Sequence, residues 1–128
     1  MTETEKITIN LSVVDLGQVD LLVEQGFYSS RSDLIRTAIR NQLSRHSDIL
    51  RETVVRQEIA VGVLVYSRAD LERKQAAGDK LEIRVVGMVH LGRDVTPELA
   101  RDVIQSLHVY GVLRAGQAVK DALADRIR

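Results

Sequence analysis

Residues 6–11, KITINL, alternate strictly between polar and apolar side chains. This alternation predicts a β-strand with Ile7, Ile9 and Leu11 on one face. The opposite face is polar and consists of Lys6, Thr8 and Asn10. So short a strand cannot bury an apolar face by itself. We therefore expect it to pair with the same strand of a second copy of the chain.

Two amphipathic helices are predicted after this strand. The first covers about residues 13–25, and Ser12 suits its N-cap. The second begins near Arg31, where Ser30 and Asp33 have the spacing of a capping box. Its buried stripe is predicted to consist of Leu34, Ile35, Ala38, Ile39 and Leu43. The order strand, helix, helix is typical of a unit that dimerises through its strand.

The polar residues of this unit point to duplex DNA, because a two-stranded antiparallel ribbon fits the major groove. Lys6 is suited to donate to guanine and Asn10 to pair with adenine, while Thr8 is more adaptable. Free N–H groups at a helix N-terminus bind phosphate oxygens. The residues predicted to contact the DNA backbone are therefore Ser30, Arg31 and Ser32. The simpler alternatives are an ordinary solvated edge strand and a plain helix cap.

The pattern changes after a predicted helical connector at residues 47–58. Three β-rich runs follow, EIAVGVLVY, KLEIRVVGMVHL and SLHVYGVLRA, and a helix-like segment follows each one. An offset of 24 residues between the last two copies matches seven pairs: Val85 with Val109, Gly87 with Gly111, Gly92 with Gly116, Val95 with Val119, Leu99 with Leu123, Ala100 with Ala124 and Val103 with Ile127. We therefore expect stacked strand-helix repeats over residues 59–128 and a DNA-binding unit over residues 1–46.

Residues 6–45 resemble the ribbon-helix-helix family of bacterial regulators, the CopG family and its relatives. The resemblance rests on KITINLS for the strand and on GFYSSRSDLIRTAIR for the turn and second helix. It implies an α+β chain whose N-terminal unit is an intertwined dimer. It also implies that Lys6, Thr8 and Asn10 contact bases and that the start of the second helix holds a phosphate.

Composition narrows the class of protein further. The absence of cysteine excludes disulfides and zinc fingers and favours a cytoplasmic location. No apolar run reaches the length of about 18 residues that a membrane span needs. The chain has 18 basic and 18 acidic residues, and residues 1–46 carry five of the basic and six of the acidic ones. A balanced charge is unusual for a nucleic-acid binder, so the basic groups must be unevenly distributed.

No arrangement of residues predicts catalysis or a cofactor. Neither phosphate-loop motif is present, and no Ser/His/Asp order stands out. His90 and His108 lie beside aliphatic strand residues, which favours a structural role over metal binding. Nickel sensing, as in one relative of the family, would need more histidines and a cysteine. We expect neither an enzyme nor a metal protein.

The sequence thus predicts a homodimeric transcriptional repressor that binds double-stranded DNA, with residues 59–128 joining dimers into a tetramer or larger assembly. One alternative is an antitoxin that represses its own operon and binds a toxin through residues 47–128. Another is a structural protein that forms polymers through its repeats.

Overall fold

The computed structural model describes residues 3–128. Three helices come first: α1 (Val13–Glu24), α2 (Arg31–Arg45) and α3 (Ser47–Arg56). Three strands follow, each with a helix after it: β1 (Ala60–Tyr66), α4 (Arg68–Ala76), β2 (Leu81–Leu91), α5 (Pro97–Val103), β3 (Ile104–Arg114) and α6 (Gln117–Ala122). The chain is therefore α+β, and the three predicted β-rich runs are confirmed as strands.

The chain divides into two compact units. Unit 1 ends at Thr53 and contains α1, α2 and most of α3. Unit 2 starts at Val54 and contains the sheet and the helices α4, α5 and α6.

The helix starts follow the predicted capping residues. The Ser12 hydroxyl accepts a hydrogen bond from the N–H of Asp15 at 3.1 Å, which fixes the beginning of α1. In α5 the Thr96 hydroxyl accepts from Leu99 N–H at 3.2 Å, and Pro97 follows in the first turn. The start predicted for α1 is confirmed, and α5 is capped in the same way.

Residues 6–11 form neither a strand nor a helix in the single chain. The prediction of a ribbon strand requires a partner strand, and the proposed partner is another copy. A β-strand is defined by its ladder of hydrogen bonds, and none of the strands described in the single chain pairs with this segment. The strand-helix-helix dimer stays a prediction.

Unit 2 is built on a parallel sheet in the order β1-β2-β3. The pairing aligns one glycine from each strand, Gly62 with Gly87 and Gly87 with Gly111. It also aligns Val85 with Val109. Two of the pairs that the 24-residue offset matches are thus neighbours in the sheet, while the wider repeat stays a prediction.

The aligned glycines let the strands approach closely. All three have φ between 134° and 137°, a region that L-residues with a side chain rarely adopt. A Cβ atom on Gly87 would lie 2.0 Å from the carbonyl oxygen of Gly62, and one on Gly111 would lie 2.0 Å from that of Gly87. No side chain fits at either position.

The helices of unit 2 pack against one face of the sheet. Alternate residues of the central strand, such as Ile83, Val85 and Val89, belong to the same buried cluster as the helix residues. The helix residues of that cluster are Leu71, Leu99, Ala100, Val103 and Val119, and Leu123, which also belongs to it, directly follows α6. On the opposite face Met88 of the central strand is buried, but apolar side chains from all three strands are exposed: Val61, Val63, Val65, Val86 and Tyr110.

Candidate nucleic-acid interface

The polar residues predicted to read bases lie on an exposed segment. Lys6, Thr8 and Asn10 are all exposed, as expected of side chains that must reach a ligand. The apolar residues between them are exposed as well, and Ile7 and Ile9 retain 72% and 57% of their accessible surface. A segment with both faces in water lacks the core that its apolar residues require.

The helices of unit 1 also lack a buried core. In the described residues, none of α1, α2 and α3 contains a buried residue. The predicted buried stripe of α2 is only partly covered, since Ile39 and Leu43 remain exposed. Unit 1 therefore presents apolar side chains to solvent on its segment 6–11 and on its helices.

The N-terminus of α2 is capped as the sequence predicts. The Ser30 hydroxyl accepts a hydrogen bond from Asp33 N–H at 3.0 Å, and α2 begins at Arg31. The Asp33 carboxylate turns back and accepts from Ser29 N–H at 2.9 Å, so the reciprocal bond of the box falls on Ser29. The N–H groups of Arg31 and Ser32 come next in the first turn, where N–H groups have no intrahelical acceptor.

Arg31 is held by a carboxylate of α1. Its Nε lies 2.7 Å from Oδ1 of Asp20, and its Nη2 lies 2.8 Å from Oδ2, so the pair is bidentate. These hydrogen bonds lower the pKa of Asp20 and raise that of Arg31. The predicted phosphate ligand is therefore engaged within its own chain. Its guanidinium must exchange Asp20 for a phosphate, or share the two, in order to bind DNA.

Two carboxylates thus lie near the proposed phosphate site, Asp20 on Arg31 and Asp33 at the cap. Both reduce the positive potential that a helix N-terminus offers to an anion. Ser32 is exposed at the same helix start. Two of the six acidic residues of residues 1–46 therefore lie beside the proposed phosphate site.

Sequence reasoning missed Asp20, since the pair joins residues eleven positions apart on two different helices. No helical spacing rule connects such positions. The available signal was weak: an acid near the end of α1 and a base at the start of α2, in helices joined by a short turn.

One of the two histidines predicted to be structural, His108, makes a ring contact. The ring of His108 stacks on that of Tyr110, with centroids 4.3 Å apart. Residues 3–128 contain no cluster of three or more metal-ligating side chains. Among the helices in that range, none has the length and apolarity to cross a membrane.

Comparison with known proteins decides the family. Residues 2–120, nearly the whole chain, match the ribbon-helix-helix transcriptional regulator family. The chain belongs to this family. It is also 32% identical over 44 residues to the transcriptional regulator CdrS of Halobacterium salinarum, an alignment that covers 34% of this chain and 80% of CdrS. No solved structure matches the chain.

Membership of the ribbon-helix-helix family confirms the resemblance found in residues 6–45 and extends it into unit 2. The family consists of DNA-binding regulators that typically dimerise, and it is not a family of enzymes.

Proposed function

We propose that this chain is a sequence-specific transcriptional repressor that acts in the cytoplasm as a homodimer. The segments at residues 6–11 of two copies pair into an antiparallel ribbon that enters the major groove. Lys6, Thr8 and Asn10 then face the base edges. Unit 2 joins dimers into a larger assembly.

The observation that carries this proposal is the exposed apolar surface of unit 1. Ile7, Ile9 and Leu11 are exposed in the single chain, and its helices have no buried residue. A second copy supplies both a ladder partner for the segment and apolar surface for the helices. Once the apolar faces meet, the polar side chains of the ribbon point outward together.

Phosphate binding is assigned to the start of α2. Ser30, Arg31 and Ser32 lie at its N-cap and first turn, where backbone N–H groups and the helix dipole favour an anion. Arg31 makes this contact by leaving Asp20, so binding to the DNA backbone includes the cost of breaking a bidentate pair. The ribbon, and not the start of α2, selects the DNA sequence.

The test is DNA binding by the full chain to fragments of its own upstream region, measured at two salt concentrations. We expect Lys6→Ala/Asn10→Ala to lose the preference for the selected fragment by about 1–3 kcal/mol per lost base contact. Lys74→Ala is the charge-matched control, because Lys74 lies on α4 in unit 2. Equal preference in the wild type and the double variant would rule out base reading by the ribbon.

The antitoxin alternative has less support. Antitoxin tails that bind toxins are usually short, charged and disordered. Unit 2 instead has a three-stranded sheet and a buried cluster of its own. A toxin partner is therefore the less favoured role for this unit.

A further inference from the structure

The two edges of the sheet in unit 2 differ in how far the chain covers them. At the β3 edge, the C-terminal segment folds back: Leu107 N–H donates to Arg126 O at 3.1 Å, and Arg128 N–H donates to Leu107 O at 2.9 Å. The guanidinium of Arg126 also donates to Ile104 O at 2.8 Å. The chain thus covers the beginning of this edge with its own backbone.

The opposite edge is β1, whose one neighbour in the sheet is β2. The sequence of β1, AVGVLVY, has no charge and no proline, and its pairing with β2 has no bulge. Charges, prolines and bulges are the means by which proteins protect an exposed edge from pairing with another chain. Val61, Val63 and Val65 are 70%, 47% and 63% exposed. A seven-residue apolar edge without such protection is a template for another strand.

The outward backbone groups of β1 can be identified. The carbonyl of Gly62 points at β2, since its oxygen lies 2.0 Å from the position that a Cβ atom on Gly87 would take, and the carbonyl of Tyr66 accepts from Gly92 N–H at 2.9 Å. Successive residues of a strand direct their N–H and C=O groups to opposite edges. The groups of Val61, Val63 and Val65 therefore point away from the sheet.

We infer that the outer edge of β1 pairs with the same edge of a second copy, antiparallel and centred on Val63. Val63 then faces Val63 of the other copy, and Val61 faces Val65. The three pairs exchange about six backbone hydrogen bonds. The two sheets become one sheet of six strands, closed by a two-fold axis.

A second copy fits this edge better than an unrelated partner does. The edge offers no charge for a partner of complementary charge to recognise, and it is self-complementary about its central residue. Pairing between copies that belong to two different dimers joins those dimers, and the two remaining copies then meet at high effective concentration. This inference deepens, and rests on, the assembly role given to unit 2 in the proposed function.

Disulfide trapping in the full chain tests this pairing, because the chain has no cysteine of its own. In a hydrogen-bonded antiparallel pair, opposite Cα atoms lie about 5.5 Å apart, within the range that a disulfide bridges. Oxidation of Val63→Cys is expected to give a covalent dimer. Val61→Cys is the matched control on the same edge, because its own counterpart lies four residues along the partner strand, out of disulfide reach.

The expected result is cross-linking of Val63→Cys that is about ten-fold or more faster than that of Val61→Cys. The double variant Val61→Cys/Val65→Cys restores the fast reaction, because each cysteine then faces the other residue of the partner. Equal rates for Val63→Cys and Val61→Cys would overturn the pairing. Fast cross-linking of Val86→Cys, on the central strand, with slow reaction of Val63→Cys would place the contact on the sheet face instead.

DNA binding by the reduced Val63→Cys protein is measured on the preparation that is used for cross-linking. Loss of base selectivity in Lys6→Ala/Asn10→Ala tests the ribbon alone, whereas disulfide formation tests the edge alone. Failure of one inference is therefore distinguishable from failure of the other.

Discussion

Replacing Gly87 by alanine tests the closest approach in the sheet. Gly87 has φ +137°, and an added Cβ would lie 2.0 Å from the carbonyl oxygen and 2.9 Å from the carbonyl carbon of Gly62. Both contacts are with backbone atoms, so no side-chain rotation relieves them. Either β1 moves away from β2 or Gly87 changes its conformation.

The size of the effect follows from two contributions. Holding a residue with a side chain in a glycine-only conformation costs about 1–3 kcal/mol. Forcing extra volume into packed structure costs about another 1–3 kcal/mol. We expect Gly87→Ala to lower the free energy of unfolding of unit 2 by about 4 kcal/mol. For a domain of this size each kcal/mol shifts Tm by about 4–8 °C, so Tm falls by about 16 °C or more.

Urea and thermal denaturation measure the effect of Gly87→Ala, and two further alanine variants serve as comparisons. Gly62 has the same φ of +137° but nothing within 4 Å of its Cβ position, so Gly62→Ala loses only the conformational part, about 1–3 kcal/mol. Gly17 lies within α1 without positive φ and with open space around it, and Gly17→Ala is expected to stabilise unit 1 by about 1 kcal/mol. If Gly87→Ala cost no more than Gly62→Ala, the close approach of the two strands would be refuted.

Two further predictions concern charged groups. Asp20→Asn removes the cost of breaking the pair with Arg31 without changing the number of phosphate contacts, so affinity for DNA at a given salt concentration should rise more than in Asp15→Asn, which makes the same charge change on α1. Hydrogen bonds from Gln75 to Asp102 and from Arg101 to Asp125 lower both carboxyl pKa values from the usual value of an aspartate. They therefore stabilise unit 2 above the unfolded pKa, and Tm should fall as pH drops below about 4; Asp125→Asn should make that fall smaller. An unchanged fall in Asp125→Asn would contradict this assignment.

Local signals explain why so much of the fold could be predicted. Ser12, Ser30 and Thr96 begin helices because a side-chain oxygen at an N-cap satisfies an N–H group within three residues, a relation that lies entirely in the sequence. The signal for the three strands is equally local, because apolar β-branched residues between turn residues predict a strand.

The structure supplied what depends on contacts between distant residues. The pair of Asp20 with Arg31 joins two helices, and the carbonyl of Gly62 meets Gly87 across the sheet. The spacing of Asp20 and Arg31 follows no helical period, and the repeat pattern that aligns glycines along the chain does not say how closely their strands approach. The ribbon at residues 6–11 depends on a contact outside the chain, and its base-reading role is therefore a matter for the DNA-binding test.

The aligned glycines also restrict how the length of this chain can vary. The interval from Gly62 to Gly87 is one residue longer than that from Gly87 to Gly111, because the first connection, residues 67–80, is two residues longer than the second, residues 92–103, and a bulge at the start of β3 adds one residue to the second interval. The first has its long loop after α4, at residues 77–80, and the second has its long loop before α5, at residues 92–96. Insertions and deletions in these loops leave the three glycines aligned. A single residue inserted into β2 ahead of Gly87 would instead place a side chain against the carbonyl of Gly62, so natural length variation should be confined to the loops.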